Sequence, residues 1–299
     1  MKRRFVKSAV AALAVAGAMS ASGAAQAQEV ELTGPLKGAP AIRHERLYRE
    51  GRFSIEPTFS FSLLDQYRRT FLLGGRLTYN IKDWLGIGVW GAYGLISSNT
   101  DLATEIDNPV TGSPRDPLTA INVNHTGDPS QGQAMGYAPF TDQTAKMNWV
   151  LAPQITFIPF RGKLAIFNKI FVDADFYVAP GVGIIGIQER GDCGPNTTVN
   201  GQPLLCSNPA SFALTSRTKF TATFAVGFTF YPADMVSVGV EYRALPFSWN
   251  RAGFDSRGTG TNGNFPDQQV NSQDETFDFN QMITISVGVA LPLHPTISE

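Results

Sequence analysis

Two aspartates spaced for a shared ligand are the first residues that could do chemistry. Asp173 and Asp175 lie two positions apart in the sequence Asp-Ala-Asp, and residues two apart on an extended chain point to the same face. Both carboxylates could therefore approach one metal ion, because carboxylate oxygens are good ligands for hard cations. Acids that share the inward face of a β-strand would show the same spacing, and we favour that interpretation. We therefore predict no metal site and no cofactor.

A histidine beside an acid is the second possibility. The chain has three histidines, His44, His125 and His294, and their spacing does not match that of metal ligands. His125 with Asp128 is the only pair that could serve an enzyme at the rim of a barrel, such as a protease, lipase or acyltransferase. Any loop of this length supplies such a pair by chance, so we predict no catalytic residues and no enzyme activity.

The two cysteines are the third candidate set. Cys193 and Cys206 lie in one stretch, CGPNTTVNGQPLLC, which is rich in Gly, Pro and Asn. In an exported chain this arrangement predicts a disulfide. Closing a loop of about 14 residues stabilises a protein by roughly 3 kcal/mol in the chain-entropy model. A redox role is not expected without a Cys-x-x-Cys motif, so the bond would hold the shape of a loop.

The N-terminal sequence indicates the compartment. A basic start and a short apolar run lead to Ala25-Gln26-Ala27, the pattern of a cleaved secretory signal peptide. We predict that residues 1–27 are removed. The rest of the chain holds 20 basic against 25 acidic residues, a net charge of −5, and this balance argues against nucleic acid as a partner because such proteins carry clustered positive charge.

The elements that must position these residues are strands. Beyond the signal peptide, no stretch approaches the roughly 20 consecutive apolar residues of a membrane-spanning helix. Alternation with period two instead marks segments that are long enough for tilted transmembrane strands of about 9–11 residues. There are eight such segments: 52–63, 69–81, 84–96, 148–160, 170–186, 217–231, 235–247 and 276–291.

The joins between these segments alternate in length. Joins after the second, fourth and sixth segments are short, whereas those after the third, fifth and seventh are long; only the short first join breaks the rule. Transmembrane barrels have short periplasmic turns and long extracellular loops. We therefore predict an all-β, eight-stranded antiparallel transmembrane β-barrel over 52–291, between a periplasmic N-terminal tail, 28–51, and a short C-terminal tail, 292–299.

This fold assigns the two faces of each strand. Apolar residues should face lipid, among them Phe53, Ile55, Phe59, Phe61, Phe224 and Phe228. Aromatic residues near the strand ends predict two membrane-interface girdles, an inner one that includes Trp84, Phe157 and Tyr231 and an outer one with Trp149, Phe247 and Trp249. Charged residues on the other faces should form a lumen network of salt bridges around Arg76 and Arg243, because unpaired charges are costly in a narrow interior. Its members are Glu56, Arg76, Asp173, Asp175, Lys219, Glu241, Arg243 and Asp278.

A family resemblance rests on the start, the Ala-Gln-Ala cut and three stretches: YREGRFSIEPTFSFS, LGGRLTYNIKDWLGIGVWGAYG and FTATFAVGFTFYPADMVSVGVEYR. Over roughly residues 45–291 the chain resembles the outer membrane β-barrel domain proteins of the myxobacterial type, and in architecture it is similar to the small OmpA/OmpX-like barrels. The resemblance implies a fold and a location in the outer membrane of a Gram-negative cell. Some members of the group work in envelope machines such as gliding motility.

The expected function is that of a non-enzymatic outer-membrane protein. It would contact outer-membrane lipid and lipopolysaccharide, and its extracellular loops or periplasmic tail would bind a protein partner. The alternatives are a narrow, porin-like pore for small solutes and an enzyme active at the rim.

Overall fold

A computed structural model of the chain describes residues 49–63, 65–107, 140–166, 170–206, 208–233, 236–260, 263 and 267–291. Several predictions on the sequence lie outside these ranges: the signal peptide, most of the N-terminal tail, the C-terminal tail, all three histidines and Asp128. Within these ranges, no helix has both the length and the apolar character required to cross a membrane.

Eight long strands form a closed antiparallel barrel. The strands are β1 (Phe53–Leu63), β2 (Arg68–Lys82), β3 (Leu85–Asn99), β4 (Lys146–Ile166), β5 (Ile170–Arg190), β8 (Leu214–Ala233), β9 (Val236–Trp249) and β10 (Thr276–Leu291). Neighbours around the ring follow the order β1, β10, β9, β8, β5, β4, β3, β2, and pairing of β1 with β10 closes it. The barrel predicted from the sequence is therefore confirmed.

The two ends of the barrel differ in their connections. The inner end, as we call it, carries three short joins: between β2 and β3, β4 and β5, and β8 and β9. The outer end carries the short β1–β2 join and three long loops, which follow β3, β5 and β9. Described parts of these loops include the helix Asp101–Asp107, the short helix Phe140–Gln143, and a small hairpin of β6 (Thr198–Val199) and β7 (Gln202–Pro203).

Side chains alternate between the interior and the outside of the barrel. On β1, Glu56, Thr58 and Ser60 are buried in the interior, whereas Phe53 and Phe59 are 56% and 45% exposed on the outside. Water-soluble barrels place apolar residues inside and polar ones outside; transmembrane barrels reverse this. The exposed apolar face of β1 is thus the face expected to meet lipid.

The β4–β5 hairpin is longer than predicted. The sequence RGKLAIFNK was expected to be a join, but backbone pairing continues from Arg161 with Asp175 to Ile166 with Ile170. A register shift between Phe157 and Phe160 precedes this extension. Two antiparallel strands satisfy each other's backbone groups, so the hairpin can continue after its neighbours in the barrel have ended.

The predicted girdles are wrong at three positions. Phe247 and Trp249 are each 4% exposed and lie inside the barrel, in contact with each other at a ring-centroid distance of 5.3 Å. They share the parity of the inward Glu241 and Arg243, and a bias toward strand ends cannot override that parity. Tyr231 also belongs to an inward row, where its ring lies 4.2 Å from the Arg49 guanidinium carbon.

Candidate functional site

The middle of the lumen is filled by a charged cluster around Arg76. This guanidinium donates to Glu56 Oε2 from Nε at 3.1 Å and from Nη2 at 2.5 Å. From Nη1 it donates to the Tyr177 hydroxyl at 2.6 Å and to Glu241 Oε2 at 2.5 Å. The Tyr177 hydroxyl donates to the same Glu241 oxygen at 2.8 Å. Arg76 therefore joins its own strand, β2, to three others, β1, β5 and β9.

Arg243 completes this cluster on the side toward the outer end. It donates from Nε to Glu241 Oε1 at 3.0 Å and from Nη2 to Gln154 Oε1 at 2.7 Å. Its guanidinium carbon lies 4.5 Å from the ring centre of Trp90, a cation–π geometry. Two arginines thus balance two glutamates, and charge-assisted hydrogen bonds satisfy the buried ions. We call Glu56, Arg76, Tyr177, Glu241 and Arg243 the central cluster.

Glycines on the neighbouring strands make room for the central cluster. A Cβ at Gly288 would lie 2.5 Å from Glu56 Cγ, and one at Gly227 would lie 2.6 Å from the Tyr177 hydroxyl oxygen. A narrow eight-stranded interior is just wide enough for side chains, so large residues on some strands require small ones opposite. The glycine content of β8 and β10 is therefore part of the site.

The inner end of the lumen holds a second charged group, centred on Arg49 from the segment that precedes β1. Its guanidinium pairs with Asp175, and its backbone N–H donates to Asp83 Oδ1 at 2.7 Å. Burial opposes ionisation of Asp83, but the backbone N–H of Arg49 and the charge of Arg161 hold the pKa of Asp83 below its ordinary value. Arg49 thus links the entering chain to the lumen and to the β2–β3 turn.

The eight residues of the predicted lumen network are distributed over three levels. Glu56, Arg76, Glu241 and Arg243 meet in the central cluster. Asp175 lies at the inner end, and Asp173 is on the same face of β5. Lys219 and Asp278 lie near the outer end: Lys219 Nζ is 2.6 Å from Glu275 Oε2, and Asp278 Oδ2 is 3.3 Å from Arg251 Nε.

Above the central cluster, a large apolar core occupies the lumen beside a few buried hydroxyl and amide groups such as Ser60 and Thr284. A core of buried residues occupies this outer half, including Trp90 at 0%, Met282 at 1% and Leu245 at 0% exposure. The lumen predicted from the sequence consisted of charged residues alone, and this apolar core was missed. The physical reason is that the interior of an eight-stranded barrel is just wide enough for side chains, which fill it by close packing. Segments that are apolar on both faces, such as GIIGI at 183–187, were the available sequence signal.

A buried arginine at the end of β5 ties the three long loops together. Arg190 donates from Nη1 to Gln143 Oε1 at 3.0 Å and to the Gly253 carbonyl at 2.9 Å. From Nη2 it donates to the Cys206 carbonyl at 2.6 Å and to Ser211 Oγ at 2.7 Å. These partners come from the loops after β3, β5 and β9. We call these joined parts of the three loops the loop crown. The sequence did not predict that Arg190 connects them, because all of its hydrogen-bond partners are uncharged.

The predicted disulfide is present in the loop crown. Cys193 and Cys206 are bonded, and the backbone of Cys193 exchanges hydrogen bonds with Val270 in the loop after β9 at 2.9 and 3.0 Å. The bond closes the loop that carries the β6–β7 hairpin and holds the Cys206 carbonyl beside Arg190. It therefore supports contacts between loops as well as the shape of one loop.

The remaining candidate residues can be placed as follows. Five of the predicted lipid-facing residues are exposed by 45% or more (Phe53, Ile55, Phe59, Phe224 and Phe228), and Phe61 is partly exposed. Asp175 of the Asp-Ala-Asp pair is engaged by Arg49. Among the residues that the structure describes, no group of three or more His, Cys, Asp or Glu side chains is arranged to hold a metal ion.

Comparisons with known proteins give only distant likenesses. No protein-family model and no curated protein matches the chain, so the resemblance to the myxobacterial type receives no support from them. Among solved structures, the N-terminal β-barrel domain of Pseudomonas aeruginosa OprF is 8% identical, with 81% of this chain and 98% of that chain covered and a TM-score of 0.38. P. aeruginosa OprG is 10% identical, with coverages of 82% and 97% and a TM-score of 0.39. Ail of Yersinia pestis, in complex with the heparin analogue sucrose octasulfate, is 10% identical, with coverages of 81% and 99% and a TM-score of 0.33. Likenesses this weak carry no functional argument, and the fold rests on the strand pairing of this chain.

Proposed function

We propose that this chain is a non-enzymatic outer-membrane protein whose closed barrel anchors a preformed loop crown for binding an external partner. The membrane location is supported by the exposed apolar face of the strands, such as Phe224 and Phe228 on β8, opposite the buried Thr223 and Thr229. A closed barrel leaves no unpaired sheet edge, so its backbone groups are satisfied in lipid. In this location the barrel would contact outer-membrane lipid and lipopolysaccharide. The extracellular loops or the periplasmic tail would bind a protein partner.

The observation that carries the proposal is the occlusion of the lumen at two levels. The central cluster crosses the interior from β2 to β9, and the apolar core that includes Trp90 and Met282 fills the half above it. Ions would have to displace paired charges and then pass a close-packed layer of buried apolar side chains, both of which are costly. A narrow pore is therefore the weaker alternative.

The loop crown suits a binding surface because its shape is fixed before any partner arrives. Arg190 and the Cys193–Cys206 bond join loops that would otherwise lose conformational freedom on binding. Preorganisation of this kind reduces the entropic cost of association. One version of this proposal is that the protein belongs to an envelope assembly, such as the machinery of gliding motility. The described contacts do not favour this version over binding to another external partner.

Planar-bilayer recording of the purified, reconstituted protein tests the closed anchor. We expect no stepwise current from the unmodified chain, whereas reproducible discrete steps would support the pore instead. Orientation is tested separately with an epitope inserted between Asn200 and Gly201, at the tip of the β6–β7 hairpin, where added atoms at Gly201 meet nothing within 4 Å.

Antibody should label intact cells that carry the epitope in this hairpin. As the matched control, the same epitope in the β8–β9 join, at the opposite end of the barrel, should be labelled only after the cells are permeabilised. Labelling of the β8–β9 variant alone in intact cells would reverse the proposed orientation.

A further inference from the structure

The loop after β9 contains three aspartates, of which one is fully accounted for. Asp274 accepts backbone N–H groups from Ser256 at 2.8 Å, Arg257 at 3.0 Å and Asn271 at 2.8 Å. These bonds fold the loop back on itself and stabilise the charge of this carboxylate. Asp274 therefore needs no further partner.

Asp255 is not accounted for in the same way. It is 9% exposed, and its Oδ2 accepts the Gln268 N–H at 2.8 Å, but its Oδ1 is buried with no hydrogen-bond partner. Among the described ion pairs, none includes Asp255 or Asp267. Burial and then the charge of Asp267 raise the pKa of Asp255 to about 6. A buried carboxylate beside another carboxylate requires either a proton or a cation.

Two further side-chain oxygens lie in the same loop, near Gly258, which follows Asp255 by three residues. Its partner Gln268 directly follows Asp267, whose Oδ1 accepts the Gln269 N–H at 2.9 Å. The other oxygen of Asp267 lies against Gly258, at the place a Cβ would occupy, and Gln273 Oε1 is 3.4 Å from the same place. Gly258 has φ +102°, a conformation that favours glycine, and because glycine lacks a Cβ the Asp267 oxygen can occupy this space. Two carboxylates and an amide oxygen therefore lie around one small part of the loop.

We propose that this part of the loop is a calcium site, with Asp255 Oδ1, Asp267 Oδ2 and Gln273 Oε1 as its side-chain ligands. All three ligands are oxygens, which suit a hard cation, and no histidine or free cysteine is among them to favour zinc. Calcium takes about 6–8 oxygens at roughly 2.3–2.6 Å in flexible geometry, so backbone carbonyls and water would complete the shell. Extracellular calcium modules with few carboxylates bind in the range of about 10⁻⁴–10⁻³ M. Asp274 holds this loop folded, and Gly253 of the same loop accepts a hydrogen bond from Arg190, so bound calcium would stabilise the loop crown.

Isothermal titration of the full, refolded protein in detergent with calcium chloride tests this site. We expect one site per chain, with at least tenfold weaker affinity in both Asp255→Asn and Asp267→Asn. Asp142→Asn, an exposed aspartate in the short helix of another loop, is the matched control and should bind as the unmodified protein does. The proposal would be overturned if no binding were seen at a calcium concentration ten times the weakest expected dissociation constant of about 10⁻³ M. Equal binding by the unmodified protein and all three variants would overturn it as well.

Thermal unfolding gives a second readout that is independent of a weak heat signal. Calcium chloride should raise the unfolding temperature of the unmodified protein relative to the same protein in chelator, because it binds only the folded loop. Magnesium chloride should have a smaller effect, since this ion demands rigid octahedral geometry. A rise that persists unchanged in Asp255→Asn and Asp267→Asn would refute the assignment.

Discussion

Replacement of Arg76 by Met tests how far the central cluster stabilises the barrel. The variant removes the hydrogen bonds to Glu56, Tyr177 and Glu241, while Met keeps most of the volume of the side chain. Among the described ion pairs, Arg76 is the only cationic partner of Glu56. In the variant, Glu56 would therefore be an unpaired charge in a buried position, where it is only 8% exposed. Glu241 keeps Arg243. The larger part of the cost should therefore come from the uncompensated charge of Glu56.

Breaking a buried ion pair by removal of one partner costs about 3–5 kcal/mol. We expect the free energy of unfolding of Arg76→Met to fall by this amount, which is a factor of roughly 10²–10³·⁵ in the folding equilibrium. The assay is urea titration of the protein in lipid vesicles, followed by tryptophan fluorescence and by the shift in gel mobility between folded and unfolded barrel. Adding Glu56→Gln to Arg76→Met should recover part of the loss, because it removes the stranded charge.

Arg69→Met is the matched control on the same strand. Arg69 is exposed near the outer end of β2, and exposed ion pairs and charges contribute within about 1 kcal/mol. Its variant should therefore unfold close to the unmodified protein. If Arg76→Met were no more destabilised than Arg69→Met, or if Glu56→Gln made Arg76→Met worse, the central cluster would not be held by the charge pairing described above.

Three further predictions follow from close packing, the loop crown and the buried aspartate. Gly288→Ala should lower the free energy of unfolding by about 1–3 kcal/mol, since its Cβ would lie 2.5 Å from Glu56 Cγ. The control is Gly162→Ala, whose Cβ would meet no atom within 4 Å and which should leave the free energy of unfolding nearly unchanged in the same urea titration. Arg190→Leu should leave the strands folded but make the three long loops more sensitive to limited proteolysis; an unchanged cleavage pattern would contradict its role as the hub of the crown. Burial and the charges of Asp267 and Asp274 raise the pKa of Asp255 from 3.8 to about 6. In the presence of chelator, ionisation of Asp255 therefore costs the folded state more free energy than it costs the unfolded state. This penalty is absent below about pH 4, grows as the pH rises toward 6 and stays above it, so Asp255→Asn should gain stability over the unmodified protein at pH 7.5 and little at pH 4. A difference independent of pH would show that the carboxylate does not titrate in this way.

Much of the fold could be predicted because strand alternation and join lengths are local signals. The last strand was placed at 276–291, and the structure has Thr276–Leu291. Alternation also identified the inward face that carries Glu56 and Arg76, which the register makes direct neighbours on β1 and β2. Such patterns give the face of a residue but not its height in the barrel, so the three levels of charge could not be separated.

Strand alternation could not predict contacts between side chains on strands that are distant in the sequence. The bond between Tyr177 and Arg76 joins β5 to β2 and depends on how the whole ring closes. Arg190 escaped notice because its acceptors are carbonyls, an amide and a hydroxyl, which have no sequence signature. Phe247 and Trp249 were assigned to the surface from residue type, although their parity with Arg243 placed them inside.

Quenching of single tryptophans by brominated lipid tests the central claim, that the apolar faces of this closed barrel contact lipid while its interior is packed. The four tryptophans of the chain report on both sides: Trp84 is 51% exposed on the outside, and Trp90 is fully buried in the lumen. Variants that keep one tryptophan and carry Phe at the other three positions would be refolded into vesicles with and without brominated acyl chains. We predict strong quenching of the variant with Trp84 and almost none of the variant with Trp90. Equal quenching of the two, or stronger quenching of Trp90, would contradict the assignment of the two faces.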